Sequence, residues 1–395
     1  MPARQNSPKA AIAASRLVKH WQPACERMNK PVISVVMVMC NVDRFLAGAI
    51  ESILQQTYRD FEFIIADFGS TDESKAIALS YAAKDSRIRF QTIPNCTLPE
   101  ARNAACLMAQ GQYIAVMDAD DIAVPERLAW EVDFMEKHPE VGLVGGATEW
   151  IDATGRALRI NFFPTEDQDI RSALLVRCPY CQPTVLIRKQ AFDSVGGYRS
   201  VFLQAEDYDL WTRIAERYQC ANLGRVVLKY RVHPHQISMR KQRQQALCVL
   251  AVQRSALARK SRVHDPLDSM KEITPATLSD LGVQESEQES VLTAQCRQWI
   301  RHMCLAGEYD VALEAANEIF QSSWNHIEPW QIADLYVTVA GVYWQQKRFL
   351  KSLLAVGQAV ATRPAIVGRP VKSLLHRFGL GTDLRTVIVQ GISQR

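Results

Sequence analysis

Over residues 31–117 the chain switches repeatedly between two hydrophobic periods. Val32, Ile33, Val35, Val36 and Val38 form a near-continuous apolar run, the pattern of a strand buried on both faces of a parallel sheet. Ala49, Ile50, Ile53 and Leu54 then recur at helical spacing. The alternation repeats: residues 61–66 predict a strand, with a helix to about Lys84. A short strand follows over 88–92, then a helix over 99–109 ended by Gly111, and a strand over 113–117. Asn41 to Arg44 forms the first turn. The second is Asp67-Phe68-Gly69-Ser70-Thr71-Asp72, where Gly69 permits a tight turn and Ser70, Thr71 or Asp72 caps the next helix. Such alternation predicts an α/β fold, a doubly wound sheet with mostly parallel strands.

Farther on, residues 122–125 open an amphipathic helix reaching His138, and 141–146 read as a buried strand. Signals weaken over 148–175, apart from a hairpin turn at Asp152-Ala153-Thr154-Gly155-Arg156. A strand over 183–188, the turn Gly196-Gly197-Tyr198, a helix entered at Glu206-Asp207, and a strand over 226–232 complete the mixed region. From about Gln236 the pattern is all-α. Gly307-Glu308-Tyr309-Asp310-Val311-Ala312 resembles the turn of a tetratricopeptide unit, and Ala340, Tyr343, Ala359 and Pro364 fall at that repeat's intervals. The expected organisation is a mobile tail over 1–30 (or one helix over 10–21), a mixed α/β domain over 31–238, a connector over 239–290 and a helical domain over 291–395. That last domain reads either as a platform packed on the α/β one or as a protein-docking surface.

A net charge of +4 over 395 residues is too small to imply nucleic-acid binding, and no run approaches the roughly 18 apolar residues of a membrane span. Ten cysteines without a framework suggest a reducing compartment, hence the cytoplasm. Cys178-Pro179-Tyr180-Cys181 has redox spacing, but Pro183 and a strand follow it rather than a helix, and no second pair completes a zinc site. Arg363, Arg369, Lys372 and Arg377 with Leu374, Leu375 and Phe378 suit either a solvated helix or the inner face of an anionic membrane.

The chemistry concentrates where the strand over 113–117 breaks into Asp118-Ala119-Asp120-Asp121. In an extended segment Asp118 and Asp120 point the same way, and two such charges need a compensating cation. Open α/β sheets bind ligands beyond the carboxyl ends of their strands. A magnesium-type ion, which takes few carboxylates and several phosphate oxygens, is the natural partner.

Several motifs lie in one order: Ser34-Val35-Val36-Met37-Val38 with Asn41, Ser52 to Tyr58, Asp67 with Gly69-Ser70-Thr71-Asp72, and Ala101-Arg102-Asn103-Ala104. After these come Gly111-Gln112-Tyr113-Ile114 leading to Asp118-Ala119-Asp120-Asp121, Gly196-Gly197-Tyr198-Arg199, Glu206-Asp207-Tyr208-Asp209-Leu210-Trp211 and Tyr230-Arg231-Val232-His233. Together they resemble the family 2 glycosyltransferases of GT-A fold, over about residues 31–238. The resemblance implies inverting transfer from a nucleotide-diphospho-sugar, by family precedent a UDP-sugar, with Mn2+ or Mg2+. It implies Asp118 near the ribose, Asp120 on the metal, and Asp207 as the general base, with Glu206 tuning it or positioning the acceptor. His233 is implied as a second metal or phosphate ligand, Arg102 and Arg231 as phosphate partners, and Asn41 and Asp67 as facing the nucleoside. The acceptor would be a hydroxyl on a glycan, a lipid-linked saccharide or a protein, with peripheral membrane or protein contact through the C-terminal helices.

The sequence departs from the pattern at Phe68, where the family carries a second aspartate, and at Met39-Cys40, where it carries polar residues. Phe68 is suited to stacking on a base. Two other readings stand beside this one. A nucleotidyltransferase would want a Gly-rich, basic loop after the first strand. An inactive sugar-nucleotide fold serving assembly is supported by Phe68 alone.

Overall fold

A computed structural model describes residues 30–234, 236, 242–321 and 328–367. The N-terminal tail expected over residues 1–30, except Lys30, lies outside them, as do Arg369, Lys372, Leu374, Leu375, Arg377 and Phe378.

The expected doubly wound, mostly parallel sheet is present. Its strands are β1 (Ile33–Met39), β2 (Phe61–Asp67), β3 (Ile88–Thr92), β4 (Tyr113–Asp118), β5 (Ile122–Ala123), β6 (Val141–Ile151), β7 (Ala157–Asn161), β8 (Leu186–Arg188) and β9 (Gln219–Arg231). They lie in the order β3-β2-β1-β4-β8-β6-β9-β5, with β7 paired to β6. The helices between them are α1 (Asp43–Leu54), α2 (Ser74–Ala82), α3 (Leu98–Leu107), α4 (Arg127–Lys137), α5 (Asp167–Leu174), α6 (Lys189–Ser194) and α7 (Glu206–Ala215).

Alternation along β1 explains its unbroken apolar run. Ile33, Val35, Met37 and Met39 pack with Leu46, Ala49, Ile50 and Ile53 of α1 on one face. Val36 joins Ala105 and Cys106 of α3 on the other. Both faces are buried, and the one polar side chain in the strand, Ser34, is buried with them and hydrogen-bonded.

Four expectations are corrected. Residues 122–125 do not open a helix: Ile122–Ala123 pairs antiparallel with β9, and α4 starts at Arg127. Residues 182–184 are a 3-10 turn before the short β8, which enters antiparallel between β4 and β6. The last strand spans thirteen residues rather than seven, because β9 follows β6 in parallel through register shifts that the polar Asn222 and Arg225 disguise. Gly111 does not cap α3, which ends at Leu107. A Cβ at Gly111 would lie 2.6 Å from Ser34 N, so glycine there allows the turn to touch β1. Ser34 Oγ accepts the Gly111 N–H (2.8 Å) and donates to Glu62 (2.6 Å).

The all-α remainder comprises α8 (Gln242–Lys260), α9 (Pro275–Asp280), α10 (Glu285–Ala306), α11 (Tyr309–Gln321), α12 (Pro329–Gln345) and α13 (Phe349–Thr362). Leu247, Leu250 and Ala251 of α8 share a core with Trp211 and Ile214 of α7. Gly307 closes α10 in the left-handed region (φ +85°), and Glu308 N–H bonds back to Met303. The core of α10–α13 includes Trp150 of β6 and Val232, which follows β9.

Candidate active site

Two chain segments, 118–121 and 206–207, bring carboxylates to the carboxyl end of β4. Asp118 ends that strand, and Asp120 and Asp121 follow in a tight turn. Asp121 turns inward and is 1% exposed; its Oδ1 accepts the Arg231 N–H at 2.7 Å. Its Oδ2 has no hydrogen-bond partner among the described residues. Burial first, then the charges of Asp120 and Asp118, hold this carboxyl well above the usual range. Through that bond to the Arg231 N–H, Asp121 pins the turn to β9.

Asp120 meets His233 across the cleft, with Oδ2 and Nε2 3.0 Å apart. The His233 ring lies 4.8 Å from that of Phe45, at the start of α1. Arg231 sits over the same ring at 4.7 Å, but its guanidinium is committed to main-chain carbonyls. Nε donates to Asp120 O (2.8 Å) and Nη1 to Asp152 O (3.1 Å). Arg231 is thus a brace for the aspartate turn. Among the described residues no three His, Cys, Asp or Glu side chains gather into a preformed metal cage. One carboxylate and one imidazole do fit an ion that draws its remaining ligands from phosphate and water.

Arg102 of α3 occupies the middle. Its guanidinium pairs with Glu206 and lies 3.5 Å from Asp118. It links the β4 end to the start of α7. Asp118 has its carboxyl raised to about 6, first by burial, with Asp120 and Glu206 adding to it against Arg102. Asp207 is raised to about 7 by burial first and then by Glu206, with Arg102 opposing and Asp118 adding. Asp118 therefore feels both Asp120 on one side and the Glu206–Asp207 pair on the other. The cleft beside Asp118 is lined by Val38, Arg102, Cys106 and Tyr198.

The start of α7 is held rigidly. Ala205, just before it, adopts a left-handed conformation (φ +58°), uncommon for a residue with a Cβ. Asn103 accepts the Tyr198 N–H (2.9 Å) and donates to its carbonyl (2.7 Å), fixing the Gly196-Gly197 turn. Arg199 and Arg213 both reach Asp209, which is fully buried, and Arg199 also pairs with Asp265 (2.9 Å). These contacts rank as support; none faces the cleft chemistry.

The first two turns shape the far end of the cleft. Asn41 is left-handed (φ +52°), and its Oδ1 accepts the Thr71 N–H at 2.8 Å. Asp67 is 2% exposed, and its Oδ1 accepts the Ser70 N–H (2.9 Å), so this carboxylate builds its own turn. Phe68 is half-buried beside it. The sequence reading passed over Phe45, which its spacing disguises as a core position of α1, and Asp121, which it counted only as one of three acids.

Comparison with known proteins points to one family. The model of the family described as Glycosyl transferase family 2 matches residues 34–196. The Bacillus subtilis protein EpsE is 38% identical over 207 residues, covering 51% of this chain and 73% of its own. The O-antigen biosynthesis glycosyltransferase WbnJ of Escherichia coli is 32% identical over 208 residues, covering 51% and 80%. The amylovoran biosynthesis glycosyltransferase AmsE of Erwinia amylovora is 32% identical over 214 residues, covering 53% and 80%. A Pyrobaculum calidifontis mannosyltransferase solved with GDP-Man and Mn2+ superposes with a TM-score of 0.46 at 17% identity, covering 90% and 93%.

Proposed function

The chain belongs to glycosyl transferase family 2 and is a glycosyltransferase, and from that premise we propose an inverting, metal-dependent transfer from a nucleotide-diphospho-sugar to an acceptor hydroxyl. The observation that carries the reading is that Arg102 joins Asp118 to Glu206, the neighbour of Asp207, while Asp120 meets His233.

Asp120 and His233 would hold the cation, which when bound supplies positive charge against the departing diphosphate. Asp118 would meet the ribose, beside Asn41 and Phe68. Asp207 would take the acceptor proton as the new bond forms to the anomeric carbon and the bond to the diphosphate breaks. A carboxyl near 7 suits that task, being ionised often enough to accept a proton and basic enough to hold it. Second to burial, the negative charge of Glu206 raises Asp207 into that range, against the opposing charge of Arg102. With Arg102 and Arg231 engaged inside the protein, Arg44, exposed and 5.1 Å over the Phe45 ring, is the cation we assign to the phosphates. The names of WbnJ and AmsE support an acceptor within a cell-surface polysaccharide, on a glycan or its lipid-linked precursor. The donor is proposed as a UDP-sugar, with Phe68 stacking on the base.

The test is transfer and donor hydrolysis from a panel of radiolabelled sugar nucleotides with Mn2+ or Mg2+, comparing the wild type with Asp207→Asn and Asp120→Ala. Turnover with one donor, lost in both variants and on chelation, is the expected result. Full activity of Asp207→Asn overturns the base assignment, and turnover that survives chelation overturns the metal.

A further inference from the structure

The outer face of α13 is unlike the rest of the surface. Its inner residues Ser352, Ala355, Val356 and Ala359 are buried, and Ser352 Oγ donates to Ala340 O at 2.8 Å. On the opposite side Leu350 is 72% exposed, Leu354 62%, and Phe349 and Leu353 each 49%. Spacings of three and four place Leu350, Leu353 and Leu354 on one stripe. Isolated exposed leucines are ordinary, but four large apolar side chains within six residues form a patch that calls for a partner.

The charge beside the patch indicates which partner. Lys347, Arg348 and Lys351 are exposed around it, and none pairs with a carboxylate among the described residues. The whole chain has 46 Lys and Arg against 42 Asp and Glu; residues 345–395 hold nine of the former and only Asp383 of the latter. Cationic character is therefore gathered at this end, while the preceding part is net acidic.

We propose that α13 docks this protein on an anionic lipid bilayer, its leucines entering the interface and its cations meeting the headgroups. The alternatives fit the charges less well. A second copy laid on the same face would oppose like charges. The chain's own residues 368–395 carry five Lys or Arg against one acid and would do the same. A nucleic acid would neutralise the cations and leave the leucines in water. An anionic lipid surface satisfies both halves of the patch. This inference is independent of the transfer chemistry.

The experiment is co-sedimentation of the full chain with large vesicles of phosphatidylcholine, alone or mixed equally with phosphatidylglycerol. The wild type should sediment with the anionic vesicles and not with the neutral ones, and salt should weaken the binding. Leu350→Ser with Leu354→Ser should lower partitioning about tenfold or more. Lys347→Gln, Arg348→Gln and Lys351→Gln together should lower it on the order of a hundredfold. Both variants should melt as the wild type does, since the exchanged side chains are exposed. Wild type left in the supernatant with anionic vesicles overturns the proposal, as do variants that sediment undiminished. A wild-type dimer, by light scattering, that Leu350→Ser with Leu354→Ser dissociates assigns the face to a second copy instead.

Discussion

Replacing Glu206 with glutamine isolates the electrostatic control of Asp207. The Asp207 carboxyl, ordinarily near 3.8, is pushed up to about 7, by burial first and by Glu206 second. At about 1.4 kcal/mol per pH unit, its ionised form is disfavoured by about 4 kcal/mol. Glu206→Gln removes one negative charge with little change of shape and leaves the Arg102 guanidinium to Asp118 and Asp207. Unit charges about 6 Å apart at an effective dielectric of ~20 interact by about 3 kcal/mol, so the Asp207 pKa should fall by about one to two pH units. A general base works ionised, so kcat/KM should rise with pH through about 7 in the wild type and correspondingly lower in the variant. The assay is a profile of kcat/KM for the acceptor from acid to mildly alkaline pH at saturating donor, with the donor KM followed in parallel. An acid limb that stays in place, or moves upward, refutes the account of how Glu206 acts.

Further outcomes follow from packing and linkage. Because the Asp207 pKa is higher folded than unfolded, the folded state holds the extra proton, and stability falls as pH rises from about 4 through 7. Asp207→Asn should therefore raise the melting temperature at pH 8 and not near pH 4, by calorimetry; an equal change at both refutes it. Gly111→Ala puts a methyl 2.6 Å from Ser34 N and should cost about 1–3 kcal/mol in urea unfolding. Arg199→Met strips one partner from the fully buried Asp209 and one from Asp265, and should cost about 3 kcal/mol or more. Equal unfolding midpoints would remove Arg199 from the supports of α7.

The sequence by itself determined the alternation of strands and helices, because a buried strand and an amphipathic helix each leave a local period in apolar positions. It also determined the aspartate turn after β4 and the Glu206–Asp207 start of α7, since both are short runs of unusual composition. It could not determine partners across the fold. Arg102 reads as a phosphate ligand in isolation, but its guanidinium meets Glu206, 104 positions away, once α3 and α7 pack together. Arg231 likewise turns to the carbonyls of Asp120 and Asp152. Periodicity states which face of an element is buried and is silent on what lies opposite, so β8 in the middle of the sheet, Phe45 under His233 and the uncovered leucines of α13 were decided only by the tertiary structure.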